Sequence, residues 1–310
     1  MSVAHPHLSL RSALLLTLPP LLWAGNAVVG RLVHELISPM TLNFLRWALA
    51  FVLLFPLAGS VLRRTSPMWP HWKRYALLGL LGVGCYNSLQ YLALQTSTPI
   101  NVTLVASSTP VFMLMIGAVF FKQSIRKRQI AGALLSIAGV LWVLGRGDWQ
   151  TLLQVHWVLG DVYVLMATAS WAWYSWLLAQ PSDPTHIRSN WALFLMAQMA
   201  LGLAWSGAFT GLEWLSGAGY VQWSWPLAAA LCYVALGPAL LAYRCWGLGV
   251  QQAGPSVAGF FANLTPLFAA VMSSVVLGDS PQSYHAWAFA LIVGGIVVSS
   301  SRRGRSNQAG

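Results

Sequence analysis

The stretch QTSTPINVTLVASSTP at 95–110 returns as QQAGPSVAGFFANLTP at 251–266, and both copies lie in strongly apolar sequence. Gln95 pairs with Gln251, Pro99 with Pro255, and Thr109–Pro110 with Thr265–Pro266, each pair 156 residues apart. Val119 and Val275, and Gly139 and Gly295, keep the same offset. That offset is close to half of the 310 residues, so the chain reads as one unit used twice, 1–150 and 151–310. A duplicated bundle of membrane helices points to a transporter.

Composition agrees. The chain is 57% hydrophobic and 7% charged, with a mean hydropathy of +0.64. A soluble domain of this length needs more charge to cover its surface, and lipid removes that need. The net charge of +11 does not imply a nucleic-acid partner, because the basic residues sit in short clusters between apolar runs. Cys85, Cys232 and Cys245 fall in apolar sequence, form no metal spacing, and are expected to be free and buried.

Spans of about 20 apolar residues are needed to cross the hydrocarbon. Ten segments qualify: 12–32, 40–60, 75–94, 101–121, 129–146, 159–178, 190–210, 225–246, 256–277 and 283–301. No sustained two-residue alternation supports a barrel, so the expectation is an all-α integral membrane protein. Arg63, Arg64, Lys73 and Arg74, then Lys122, Arg126, Lys127 and Arg128, then Arg302, Arg303 and Arg305 share one side if the spans number ten. The positive-inside rule places that side, and both termini, in the cytoplasm. Five spans per half is odd, so the second copy enters inverted. Its turn matching 122–128 keeps only Asp279, as inversion requires.

A pathway is expected between the halves near mid-membrane. Tyr86, Asn87, Gln90 and Tyr91 carry polar and aromatic groups at same-face spacings; they fit a polar lining and, equally, hydrogen-bonded helix contacts. Ser107, Ser108 and Pro110 in one span match Asn263 and Pro266 in another, and a proline there frees a carbonyl one turn earlier. Pro110 and Pro266 are candidate hinges, or structural kinks without a ligand. Trp23, Asn26, Trp171 and Tyr174 offer aromatic faces with polar edges, for ligand contact or for core packing. Arg46, a third of the way into the second span, fits a wet cavity, a carboxylate or a structural hydrogen bond. Arg244 near the end of the eighth span reads as a snorkelling side chain. Trp69, Trp72, Trp149, Trp157, Trp214 and Trp223 read as interface anchors.

No Asp, Glu or His occupies the middle of a span, which disfavours a proton relay and gives weight to passive, gradient-driven movement. Gly79, Gly82 and Gly84 lack the Lys-Ser/Thr pair of a phosphate loop and read as close helix packing. No catalytic constellation, metal site or cofactor is expected. The partners expected are a small-molecule substrate and membrane lipid, not nucleic acid.

The segments WAGNAVVGR at 23–31, SPMTLNFLRWALA at 38–50, 91–112 and 249–268 resemble the drug/metabolite transporter superfamily in its EamA branch, and within it the YddG-type exporters of aromatic amino acids. The resemblance implies two inverted five-helix repeats in a bacterial inner membrane and export of amino acids and related metabolites through a central cavity. Many relatives carry a glutamate just after the fourth helix of each half; Lys122–Gln123 and Gly278–Asp279 stand here instead. Competing readings are a drug or other metabolite exporter of the same fold, and a non-transporting scaffold or intramembrane enzyme.

Overall fold

The computed structural model describes residues 8–97, 99–154, 156–277 and 283–300. The turn 278–282 and the tail bearing Arg302, Arg303 and Arg305 therefore lie outside the described residues. Among the described residues the chain is helical apart from an isolated antiparallel bridge, Ile37–Val221, with long helical rods joined by turns and short helices such as Gln150–Leu153 and Thr185–Ser189. The first five are α1 (Leu10–Leu32), α2 (Pro39–Ala58), α3 (Trp72–Gly79, a π turn Leu80–Cys85, Tyr86–Ala93), α4 (Pro99–Ala106, Thr109–Phe121) and α5 (Lys127–Leu144). The rest are α6 (Leu159–Ala179), α7 (Trp191–Leu215), α8 (Trp225–Val234, a π turn Ala235–Leu241, Ala242–Ala253), α9 (Pro255–Ala262, Leu264–Leu277) and α10 (Ser283–Ser300).

Eight of these helices are long and apolar enough to cross a membrane. The other two, α3 and α6, are of spanning length and carry Tyr86, Asn87, Gln90, Asp161, Trp171 and Tyr174, which dilute their apolarity. Both face the interior rather than lipid alone: α3 packs on α6 and α7, and α6 packs on α3, α4 and α8.

Local chemistry explains the rod ends. Asn190 caps α7, its side chain accepting from the backbone N–H of Ala192 and Leu193 at 3.0 and 3.4 Å. The Asp161 carboxylate accepts from the Val158 N–H at 2.9 Å at the start of α6. Pro39 stands at the first position of α2, where its missing N–H costs nothing. Gly254, at φ 85°, joins α8 to α9 in a conformation that a side chain would strain. The α8 rod runs to Ala253 rather than ending near 246, so Arg244 lies well inside it, its guanidinium 4.5 Å from the Trp191 ring.

The packing runs between the first and second parts of the chain. Helix α1 crosses to pack on α8 and α9, as α6 packs on α3 and α4; α2 meets α7, and α5 meets α10. At the α5–α10 contact a Cβ on Gly132 would stand 2.6 Å from the Gly295 carbonyl, and one on Gly295 2.6 Å from the Gly132 carbonyl. Only glycine lets these backbones approach so closely.

The backbone irregularities repeat as well. The N–H of Tyr86 bonds back to the Leu81 carbonyl and that of Ala242 to the Gly237 carbonyl, the same i→i−5 step 156 residues apart. Both α4 and α9 break at matching places, α4 at Ser107–Ser108 and α9 at Asn263, with Pro110 and Pro266 just beyond. The cysteines are free, but only Cys245 is buried; Cys85 is half-buried and Cys232 is exposed on the bundle surface. Trp69, Trp72, Trp149, Trp157, Trp214 and Trp223 are all exposed near rod ends, as anchors should be.

Candidate functional site

A π turn admits one extra residue per turn and leaves carbonyls without their usual in-helix partners. Here those carbonyls receive side chains from elsewhere in the bundle. The Tyr243 hydroxyl in α8 donates to the Gly82 carbonyl in α3. The Trp23 Nε1–H in α1 donates to the Pro238 carbonyl in α8 at 3.3 Å. Gly82 and Pro238 are 156 residues apart, so the two acceptors are counterparts. Ser170 Oγ donates to the Leu81 carbonyl at 3.0 Å, and Asn43 Nδ2 to the Val83 carbonyl at 2.9 Å.

Between the π turns lies a cluster of rings with Trp171 at its hub. Trp171 stands 5.1 Å from Trp23, 4.5 Å from Tyr86, 5.1 Å from Tyr174, 5.4 Å from Tyr243 and 5.3 Å from Trp246, centroid to centroid. These separations suit edge and offset contacts between aromatic quadrupoles. Trp246 Nε1–H donates to Ser175 Oγ at 3.0 Å, and the Tyr174 hydroxyl donates to Gln198 Oε1 at 3.0 Å. The Trp171 Nε1–H is buried without a partner among the described residues.

Arg46 forms the polar floor beside these rings. It is 0% exposed. Its Nη1 donates to Asn87 Oδ1 at 3.1 Å, to the Tyr91 hydroxyl at 3.0 Å and to Asn26 Oδ1 at 3.3 Å. The Tyr91 hydroxyl donates in turn to Asn26 Oδ1 at 3.1 Å. Asn87 Nδ2 reaches the Tyr243 hydroxyl at 3.4 Å and so links the charged cluster to the aromatic one. Asn87 and Tyr243 are themselves 156 residues apart, so two counterpart positions touch across the centre. The Trp47 ring lies 5.4 Å from the Arg46 guanidinium and 4.8 Å from the Tyr243 ring.

The structure thus gathers Trp23, Asn26, Arg46, Tyr86, Asn87, Tyr91, Trp171 and Tyr174 into one constellation. Gln90 is half-buried beside the Tyr86 hydroxyl. Ser107, Ser108 and Asn263 belong to a second locus. There Asn263 Nδ2 donates to the Ser107 carbonyl at 3.3 Å and to Ser136 Oγ at 2.9 Å, tying the α9 break to the α4 break. Ser107 and Ser108 return their hydroxyls to the carbonyls of Leu104 and Val105, each at 2.6 Å. Asn263 and Ser107 are again 156 residues apart.

Tyr243, Trp246, Trp47 and Gln198 join the site without any signal of their own in the sequence, apart from the offset that pairs Tyr243 with Asn87. A cleft lined by Tyr174, Phe194, Gln198, Tyr243, Arg244 and Gln251 leads from the cluster toward the end of the bundle that carries Arg74 and Arg188.

A carboxylate ties elements together at each end of the bundle. At the start of α2, Glu213 of α7 accepts from Ser38 Oγ at 2.6 Å, Thr41 Oγ1 at 2.8 Å, and the N–H groups of Met40 and Thr41 at 2.9 and 3.0 Å. Beside it, burial and the nearby carboxylates of Glu213 and Glu35 raise the pKa of the Tyr220 phenol. At the opposite end, Asp183 accepts from Arg74 Nε at 2.7 Å and from Arg188 Nη1 at 3.2 Å.

These features meet known proteins at one point. The model of the EamA-like transporter family matches residues 10–145 and again 158–301. The chain belongs to that family, and it is a multi-pass membrane protein. It is 25% identical over 293 residues to a protein of Archaeoglobus fulgidus described as an uncharacterized transporter, covering 94% of this chain and 98% of that one. It is 26% identical over 242 residues to the aromatic amino acid exporter YddG of Ancylobacter novellus, covering 78% of each. A solved structure shares the fold at a TM-score of 0.66 and 23% identity, over 93% of this chain and 96% of that one.

Proposed function

We propose that the protein exports amino acids and related small metabolites, aromatic and other neutral amino acids foremost, across a bacterial inner membrane. It does so by alternating exposure of the site between two inverted five-helix repeats, 1–150 and 151–310, with both termini cytoplasmic. The observation that carries this reading is the ring cluster around Trp171, joined through Asn87 to a buried polar floor and lying between the two π turns. Rings of this kind accept a flat or apolar side chain, and the amides and hydroxyls beside them answer its polar end. The breaks at Ser107–Ser108 and Asn263 are the hinges, with Pro110 and Pro266 preventing the helices from closing over them.

Aromatic walls also attract cations, which favours a drug exporter of the same fold, but the Arg46 charge within the cluster repels a cationic ligand. The described residues of the cluster include no carboxylate or imidazole, which favours passive movement down the solute gradient over a proton relay.

Vesicles containing the purified protein are expected to release labelled phenylalanine, threonine or methionine at the same rate with and without a proton gradient. Absence of protein-dependent flux across a broad amino acid panel overturns the substrate reading. Tags placed in 122–128 and in 279–282 are expected on opposite faces of the membrane, and finding both in the cytoplasm overturns the inversion.

A further inference from the structure

The chain has six acidic residues, and the five described ones are committed away from Arg46. Asp183 pairs with Arg74 and Arg188, Glu213 caps α2, Asp161 binds Ser97, Glu35 faces His34, and Asp148 accepts from the Gln150 N–H. The Arg46 charge is therefore buried with neutral partners only among the described residues. Burying a guanidinium without an anion is among the most expensive arrangements in a membrane interior.

The way Arg46 is held is specific. All three of its hydrogen bonds leave from Nη1, to Asn26, Asn87 and Tyr91. Nε and Nη2 have no partner among the described residues, although both are buried. The guanidinium is planar, and the N–H bonds of Nε and Nη2 run parallel along one edge. That edge matches the two oxygens of a carboxylate, while the Nη1 side is bolted to the protein. A receptor edge fixed in advance loses little freedom when its ligand arrives. Its depth suits the role, since eight residues beyond Ser38 is about 12 Å along α2 from the end. The aromatic cluster begins one residue away, through Asn87 to Tyr243.

Resting on the exporter reading, we infer that the Nε–Nη2 edge of Arg46 is the recognition point for the carboxylate of the transported solute. Substrates carry a carboxylate, with their side chain against the Trp171 rings, and amines lacking one are excluded. Asn26, Asn87 and Tyr91 are positioning residues that aim the edge.

The test uses the purified full chain in detergent and reads quenching of its tryptophan fluorescence. Phenylalanine and 3-phenylpropionate are expected to bind at least tenfold more tightly than phenylalaninamide and phenylethylamine, which keep the ring but lose the carboxylate. Arg46→Lys keeps the charge and loses the fork; Arg46→Gln loses both. Each is expected to weaken the two carboxylates at least tenfold and leave the amide and amine unchanged. The proposal falls if the amide binds as well as the acid, if either folded variant binds the acids like the wild type, or if chloride alone gives the whole response. Where neither variant folds, the acid-to-amide ratio of the wild type decides. Flux in vesicles separates the two claims. Acid-selective binding without flux overturns the exporter reading and leaves the Arg46 assignment standing. Flux of phenylalanine that the amide inhibits equally overturns the assignment and leaves the exporter.

Discussion

The two π turns have the same backbone and different surroundings. After the first, α3 presents Tyr86, Asn87, Gln90 and Tyr91, and through them grips Arg46. After the second, α8 presents Ala242, Tyr243, Trp246 and Gly247, and supplies rings and one hydroxyl. The segment after the first π turn has taken the hydrogen-bonding work, that after the second the apolar surface. A matched backbone leaves side chains free to differ, and the proposed solute, with one polar and one apolar end, needs walls of two kinds. The four contacts of Glu213 on α2 and the ion pairs of Asp183 differ in the same sense, one carboxylate held by neutral donors and the other by arginines.

The hub of the aromatic wall gives the largest expected effect. Trp171→Ala removes a fully buried indole touching five rings and is expected to cost about 4 kcal/mol of stability, read as a lowered unfolding midpoint in detergent. A wild-type midpoint would show that the rings do not bear on one another. On the polar side, Asn87→Leu strips Arg46 of one acceptor and Tyr243 of its amide neighbour. A loss of about 3 kcal/mol is expected, with flux abolished, because a buried charge is left less satisfied.

Tyr243→Phe sharpens the contrast, since it keeps the ring and deletes only the hydroxyl bonds. It is expected to cost about 1 kcal/mol and to slow flux roughly tenfold. If it costs as much as Asn87→Leu, the division of labour between the two segments is wrong. The smallest effects fall at the breaks. Pro110→Ala and Pro266→Ala each restore one N–H outside the cluster and are expected to shift stability by less than about 1 kcal/mol while slowing flux by similar factors. A defect confined to one of the two would show that only one half moves.

Much of the architecture is legible in the sequence. The offset relating Pro99 to Pro255 and Pro110 to Pro266 marks where α4 and α9 begin and break, because proline acts on its own backbone and on the turn before it. Apolar run lengths placed the rods, and errors gathered at ends such as Ala253, where Gly254 rather than hydropathy stops the helix. Within the site, Tyr86, Asn87 and Tyr91 stood out as polar groups in apolar sequence. Tyr243, Trp246 and Trp47 did not, since one more aromatic in a chain with 17 tryptophans carries no signal of place.

The sequence alone determined that this chain is a bundle of membrane helices repeated at a fixed offset and interrupted at matched prolines. Those properties follow from composition and local backbone chemistry. Only the tertiary structure decided that α1 packs on α8 and α9 while α6 packs on α3 and α4, that Asn87 meets Tyr243, and that Arg46 donates from Nη1 while its buried Nε and Nη2 have no partner among the described residues. Such facts depend on which distant residues become neighbours, and neighbourhood in space is not written in any local run of residues.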